Sequence, residues 1–364
     1  VALALNVVLG LDYNDVYQQI TQGPTSQLVY LVLDDYVPQE KIERLQQYAG
    51  GIGDAYSTGD NQETPSLKGL VYQPHLRRNY PEKDLVSNVL GYVGFDQDGN
   101  LHGLYGIEAK FDELLAGLPQ RLWVPNDPNR AQEIPDIPDG TSLMLTIDRE
   151  IQASMETILD TSIEFNGAES GTIIVMEPKT GDILAMATSP RVDLNRYWEY
   201  EEFLTGSMPF NRAISQAYEP GSVFKILTVA AALDTDAIEP QTTFVDTGVF
   251  EIGGTFIYNW NSAAWGPQDI QGCLGHSLNV CLAWIAKETG PKTFYEYMNS
   301  FGIGHLTGID LAGELTGRLK VPGDADWYDA DLGTNSFGQG VSTTPLQMAV
   351  AASAIANEGK IMAP

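Results

Sequence analysis

Apolar residues along this chain switch between helical spacing and short unbroken runs, and the switches lay out its elements. The opening VALALNVVLGL is an apolar run of about 11 residues, short of the roughly 20 needed to span a bilayer. QEKIERLQQYA (39–49) reads as an amphipathic helix and GIGDAYSTGDNQETPSLKG (51–69) as an exposed loop. LYGIEAKFDELLAG (104–117) predicts one helix with Ile107, Phe111, Leu114 and Leu115 on a common face. VPNDPNRAQEIPDIPDG (124–140), rich in Pro, Asp and Asn, should be irregular, and a domain boundary falls there. Beyond it Asp148 can cap a helix with apolar positions Ile151, Met155, Ile158 and Leu159. The runs GTIIVM (171–176) and DILAMAT (182–188) suit buried strands. Between them Pro178 and Gly181 supply the dihedrals of a tight turn, so Lys179-Thr180-Gly181 is expected at a hairpin tip.

Composition narrows the possibilities. A chain of 364 residues, 43% hydrophobic and 19% charged, can bury the cores of two or three folded domains. A net charge of −28 would repel nucleic acid and anionic membrane surfaces, so neither is expected as a main partner. The two cysteines, Cys273 and Cys281, are eight residues apart. On a shared helix that spacing puts them about 12 Å apart, too far to bridge, and two buried free thiols are expected. The chain lacks an initiator Met and a visible signal peptide, and ends at ANEGKIMAP. It is therefore expected to be a fragment cut at both ends, its lack of an anchor no sign of a cytoplasmic protein.

The candidate chemistry lies in NRAISQAYEPGSVFKILTVAAAL (211–233). Pro220-Gly221 breaks the chain and a strongly apolar helix follows. That places Ser222 at a helix N-terminus, where free amides and the dipole favour developing negative charge. Lys225 follows one turn later on the same face, so its amine can reach the Ser222 hydroxyl as a base. Near the ordinary pKa of 10.4 only about 0.04% of a lysine is neutral at pH 7. Lowering it by roughly 3 units needs about 4 kcal/mol from burial or nearby cations. Phe224, Ile226 and Leu227 would suit such a desolvated site. S-x-x-K arises by chance about once in two such chains, so the position after Pro-Gly at a helix start carries the argument. In GHSLNVCLAWIAKETG (275–290), Ser277 and Asn279 form an S-x-N at a turn before a helix. They can point into one cleft, or Ser277 can cap the helix while Asn279 satisfies local backbone. In TTPLQMAVAASAIANEG (343–359), Thr344, Pro345 and Gln347 make a capping box, and Asn357 and Gly359 end the helix.

Together these segments resemble the class B penicillin-binding proteins, the transpeptidases that cross-link bacterial peptidoglycan. The likeness covers about 78–364 and includes RNYP (78–81), GYVG with GLYGIE (91–108), TIDREIQ, EPKTGDILAMATSP, NRAISQAYEPGSVFK, SLNV and FGQGVSTTPLQMA, in order. It implies an α+β fold: an N-terminal pedestal (dimerisation-type) domain over 1–135, then a serine β-lactamase-like transpeptidase domain over 136–364. It implies Ser222 as the acylated nucleophile, Lys225 as its general base, and Ser277 and Asn279 for proton relay and substrate positioning. The Ser222 amide would be half of an oxyanion hole, and Arg78 and Glu108 would be structural. It implies no cofactor and no metal. The expected ligands are acyl-D-Ala-D-Ala stem peptides and β-lactams. Expected partners are cell-wall synthesis proteins such as a glycosyltransferase, with a single-pass N-terminal anchor holding the catalytic domain outside the cytoplasm. The alternative is a β-lactam sensor or a catalytically degenerate scaffold of the same machinery.

The family's third motif, Lys-Thr-Gly or a variant, follows S-x-N on a strand beside the nucleophile. Here Lys179-Thr180-Gly181 precedes the nucleophile and matches the family's early hairpin signature, so it is not that box. The fragment is accordingly expected to stop before the third box, to acylate poorly by itself, and to leave a sheet edge exposed.

Overall fold

The computed structural model describes residues 1–21, 31–34, 37–49, 67, 69–72, 78–95, 101–117, 140–200 and 210–364, without the side chains of 48 and 49. Nearly all of the loop expected at 51–69, and of the irregular stretch expected at 124–140, lies outside these residues. The chain forms two compact units, 1–77 with 120–137 and 78–119 with 138–364. The expected boundary near 135 follows the linker composition. By packing, 78–119 groups with the second unit.

In the first unit, helices α1 (Ala2–Leu9), α2 (Tyr13–Thr21) and α3 (Gln39–Ala49) bury Leu5, Val8, Val16 and Leu45 against one another. The apolar opening is α1, ended by Gly10 in the left-handed conformation. Among the described residues no helix is long and apolar enough to cross a membrane.

The second unit opens with α4 (Ser87–Leu90) and the antiparallel hairpin β1 (Tyr92–Phe95) and β2 (Leu101–Leu104). The single helix expected across 104–117 is two: α5 (Gly106–Lys110) and α6 (Asp112–Leu115), broken at Phe111. Leu104 ends β2, Tyr105 turns with positive φ, and of the expected apolar face Leu114 is 51% exposed. In α5 the segment buries Gly106, the apolar Ile107 and the carboxylate of Glu108. Glu108 accepts from Arg78 Nε at 2.7 Å and Tyr80 Oη at 3.2 Å, and Tyr80 Oη accepts from Val93 N at 2.9 Å. Burial beside that carboxylate pushes the Tyr80 hydroxyl well above the ordinary phenol range.

Helix α7 (Arg149–Asn166) starts as expected, the Asp148 side chain accepting from Glu150 N and Ile151 N. Its buried positions are Gln152, Glu156 and Leu159, so the face it packs is partly polar. Gln152 Nε2 donates to Met186 O and Glu156 Oε1, while Gln152 Oε1 accepts from Met186 N. A single amide thus satisfies both main-chain groups of Met186. That strand is β4 (Ile183–Ser189), paired antiparallel with β3 (Gly171–Met176). β4 is largely buried, whereas every residue of β3 is half-buried. Lys179-Thr180-Gly181 sits at the hairpin tip as expected, with Lys179 exposed and Gly181 at φ 91°.

After a 3₁₀ segment (Leu194–Tyr200) come α8 (Arg212–Ser215) and a 3₁₀ turn (Gly221–Phe224) running into α9 (Lys225–Asp234). Strands β5 (Thr243–Asp246), β6 (Val249–Ile252), β7 (Thr255–Tyr258) and β8 (Gly266–Asp269) follow as antiparallel pairs β5–β8 and β6–β7. Then come α10 (Ile270–Gly275), α11 (Asn279–Thr289), α12 (Pro291–Ser300), α13 (Asp329–Asn335) and α14 (Pro345–Ala356). The α14 capping box forms, with Thr344 Oγ1 accepting from Gln347 N and Gln347 Oε1 from Thr344 N. Phe224, Leu227, Leu278, Leu282, Ile285, Phe294 and Met298 form the core beneath the candidate site. The architecture is α+β, as the sequence predicts.

The cysteine expectation is overturned: Cys273 and Cys281 form a disulfide, their Cα atoms 6.0 Å apart. The 12 Å figure assumed one continuous helix. Cys273 lies in α10 and Cys281 in α11, and the turn between them folds the second cysteine back over the first.

Candidate active site

The 3₁₀ turn and α9 place Ser222 and Lys225 one turn apart at the start of a helical run. The turn is braced by main chain: Gly221 N donates to Gly338 O at 3.0 Å, and a Cβ on Gly338 would collide with the Gly221 carbonyl. Glu219 Oε1 holds the same loop by accepting from Gly340 N at 2.8 Å. Neither Glu219 nor the 337–340 loop was singled out as part of a site from the sequence. The signal available was the pair of glycines in FGQG.

Ser222 is exposed, while Lys225 retains only 1% of its surface. Lys225 Nζ donates to Ser277 O at 2.7 Å, Ser277 Oγ at 2.8 Å and Asn279 Oδ1 at 2.8 Å. Ser277 Oγ lies 3.0 Å from Ser222 Oγ. The expected direct reach of Lys225 to Ser222 is therefore replaced by a path through Ser277. Three acceptors on one loop use all three donors of an ammonium and draw the amine toward that loop. Burial pulls the Lys225 pKa down to about 8.

Ser277 occupies the turn between α10 and α11 at φ 54°, a left-handed backbone uncommon outside glycine, asparagine and aspartate. It does not cap α11: the N-cap is Leu278, which makes no side-chain cap. Asn279 opens that helix, and its Nδ2 donates to Tyr258 O at 3.2 Å. The next amide, Val280 N, donates to Asn259 Oδ1 at 3.2 Å, and Asn259 Nδ2 donates to the buried Asp246 at 2.8 Å. So β5–β7 hold the S-x-N segment from one side. All four sequence-predicted residues come together.

The arrangement can move a proton. With Lys225 charged, the chain runs from ammonium to Ser277 to Ser222. With Lys225 neutral, the two hydroxyl rotors can reverse, so that Ser222 gives its proton toward the amine through Ser277. The Ser222 amide lies in the first helical turn, where it has no intrahelical acceptor and can meet an oxyanion. Among the described residues no cluster of His, Cys, Asp and Glu could hold a metal ion.

Known proteins share this plan. Residues 171–364 match the family described as penicillin binding protein transpeptidase domain, and residues 1–121 match penicillin-binding protein dimerisation domain. Stage V sporulation protein D of Bacillus subtilis is 32% identical over 305 residues, 82% of this chain and 46% of that protein. Peptidoglycan D,D-transpeptidase FtsI of Escherichia coli K12 is 31% identical over 291 residues, 78% of this chain and 47% of that protein. The crystal structure of penicillin binding protein 3 from Mycobacterium tuberculosis complexed with ampicillin superimposes with a TM-score of 0.67 at 30% identity, covering 79% of this chain and 59% of that one. The chain spans about half the length of the curated relatives it matches. With a dimerisation domain followed by a transpeptidase domain, this chain belongs to the penicillin-binding protein family.

Proposed function

We propose that the protein is a peptidoglycan D,D-transpeptidase. The observation that carries this reading is the hydrogen-bonded path from Lys225 through Ser277 to Ser222, with Asn279 on the same amine. Ser222 Oγ attacks the penultimate D-Ala carbonyl of a donor stem peptide, its proton passing through Ser277 to Lys225. The terminal D-Ala leaves with a proton returned from the lysine, and an acceptor amine then takes the acyl group from the serine. β-Lactams acylate the same oxygen. Asn279 helps place the peptide amide, and the Ser222 amide stabilises the oxyanion, a contact of about 3 kcal/mol in comparable sites.

Residues 1–135 serve as the pedestal and 136–364 carry the chemistry. The protein works at the cell membrane on a single-pass anchor, its catalytic unit outside the cytoplasm, alongside cell-wall synthesis proteins such as a glycosyltransferase. The Cys273–Cys281 bond supports that side of the membrane, since disulfides persist in oxidising compartments. The test is labelling of the whole protein by a fluorescent penicillin. One label per molecule is expected, and none on Ser222→Ala. Labelling that survives the substitution would remove Ser222 from the mechanism.

A further inference from the structure

The disulfide closes a ring that contains the S-x-N segment. Its ends, Cys273 and Cys281, are the only cysteines in the chain, and both are fully buried. Between them lie Ser277 and Asn279, which supply all three acceptors of Lys225. We infer that Cys273 and Cys281 are positioning residues, whose bond holds Ser277 and Asn279 in register with Lys225 and Ser222. The inference rests on the reading of these four residues as the acylation machinery.

Three observations support it. The first is backbone geometry. Ser277 sits at φ 54°, a conformation a serine holds only when its surroundings over-determine it. Inside the ring Ser277 N donates to Leu274 O and Leu278 N to Cys273 O, so the turn is a tight one between two helices. On the far side, Tyr258 O and Asn259 Oδ1 hold Asn279 and Val280. Main-chain bonds join α10 to the turn and to the N-cap of α11, and the disulfide adds a covalent tie from α10 to the first turn of α11 itself.

The second is ring size. A cross-link raises global stability most when it closes a long loop, because the entropy it removes from the unfolded chain grows with loop length. A bond spanning a sequence separation of 8 gains only about half of what a 100-residue loop would by that route, while it fixes one turn. The third is anchoring. Both sulfurs, together with Leu278, sit in the core under Phe224 and Leu282, so the ring is referenced to the same packed layer that carries Lys225. A shift of α10 against α11 would move the Ser277 carbonyl and hydroxyl together, which the distances of 2.7 and 2.8 Å to Lys225 would not survive.

The test compares four samples of the whole protein: oxidised, reduced with a phosphine in mild denaturant and returned to buffer, reoxidised, and Cys273→Ala/Cys281→Ala. Each is assayed for penicillin acylation, resolved into the binding constant and the acylation rate, and for hydrogen exchange over 274–281. The expected result is an acylation rate about tenfold lower in the reduced and double-variant proteins. Binding should stay within about twofold, exchange over 274–281 should be faster, and reoxidation should recover the original rate. A lower melting temperature with an unchanged acylation rate would make the bond a staple only and overturn the inference. If the oxidised protein takes no penicillin, the transpeptidase reading falls and the exchange decides alone: faster exchange confined to 274–281 supports the clamp, and unchanged exchange overturns it. Should the double variant fail to fold, the reduced sample carries the comparison with no atom of the side-chain carbons altered.

Discussion

A lysine acts as a base only in the fraction that has lost its proton. With its pKa pulled down to about 8 by burial, about 10% of Lys225 is neutral at pH 7, against about 0.04% for an ordinary lysine. The sign follows from burial, which penalises the ammonium and lowers the pH at which the base appears. Acylation should therefore rise about tenfold between pH 7 and pH 9 and level off above, as read from penicillin acylation rates. A rate flat from pH 6 to pH 9 would remove Lys225 as the base. Lys225→Arg, whose guanidinium stays charged, should lower the rate by about 10² to 10⁴. The residues of this site were legible because two short spacings fall at helix starts. The route between Ser222 and Lys225 was not. It depends on a third residue 52 positions from Lys225, and on a backbone conformation that composition does not announce.

Among the elements, α7 departs furthest from its apolar pattern. Counting hydrophobic residues finds the helix and its cap, yet the face it buries is led by Gln152 and Glu156. Both ends of the Gln152 amide are consumed by β4, and burial pushes the Glu156 carboxyl above the usual range despite Gln152 and nearby Arg191. Gln152→Leu keeps the volume and orphans Met186 N and O. It should cost about 2 to 4 kcal/mol, measured by denaturant unfolding, where an ordinary surface change costs a few tenths. The cysteines failed for a related reason. Spacing was read on a continuous helix, whereas the short α10 ends at a turn that the sequence marks only by Gly275 and the serine after His276.

At the scale of the whole molecule, the segment 78–119 packs with 138–364. Val89 and Ile107 share a core with Ile183, Met186, Ile214, Leu346 and Val350. A proline-rich composition says nothing of which core the preceding segment joins, and only side-chain packing decides that. Ile107→Ala should destabilise the unit that carries Ser222 by about 2 to 4 kcal/mol. In calorimetry this should lower the transition that penicillin acylation shifts. An effect confined to another transition would sever 78–119 from that unit. The net charge of −28 belongs to this scale too: it bears on solubility and repulsion from polyanions, and leaves the site chemistry to local burial.

The brace beneath Ser222 also sets where the surroundings of that serine can accept a new side chain. Gly338 presses on the Gly221 carbonyl closely enough to exclude any side chain, so a substitution there would displace the turn that carries Ser222. Val223 and Ile226, 55% and 41% exposed beside the same serine, carry no such constraint. New side chains near the nucleophile should therefore be tolerated at those two positions and not at Gly338.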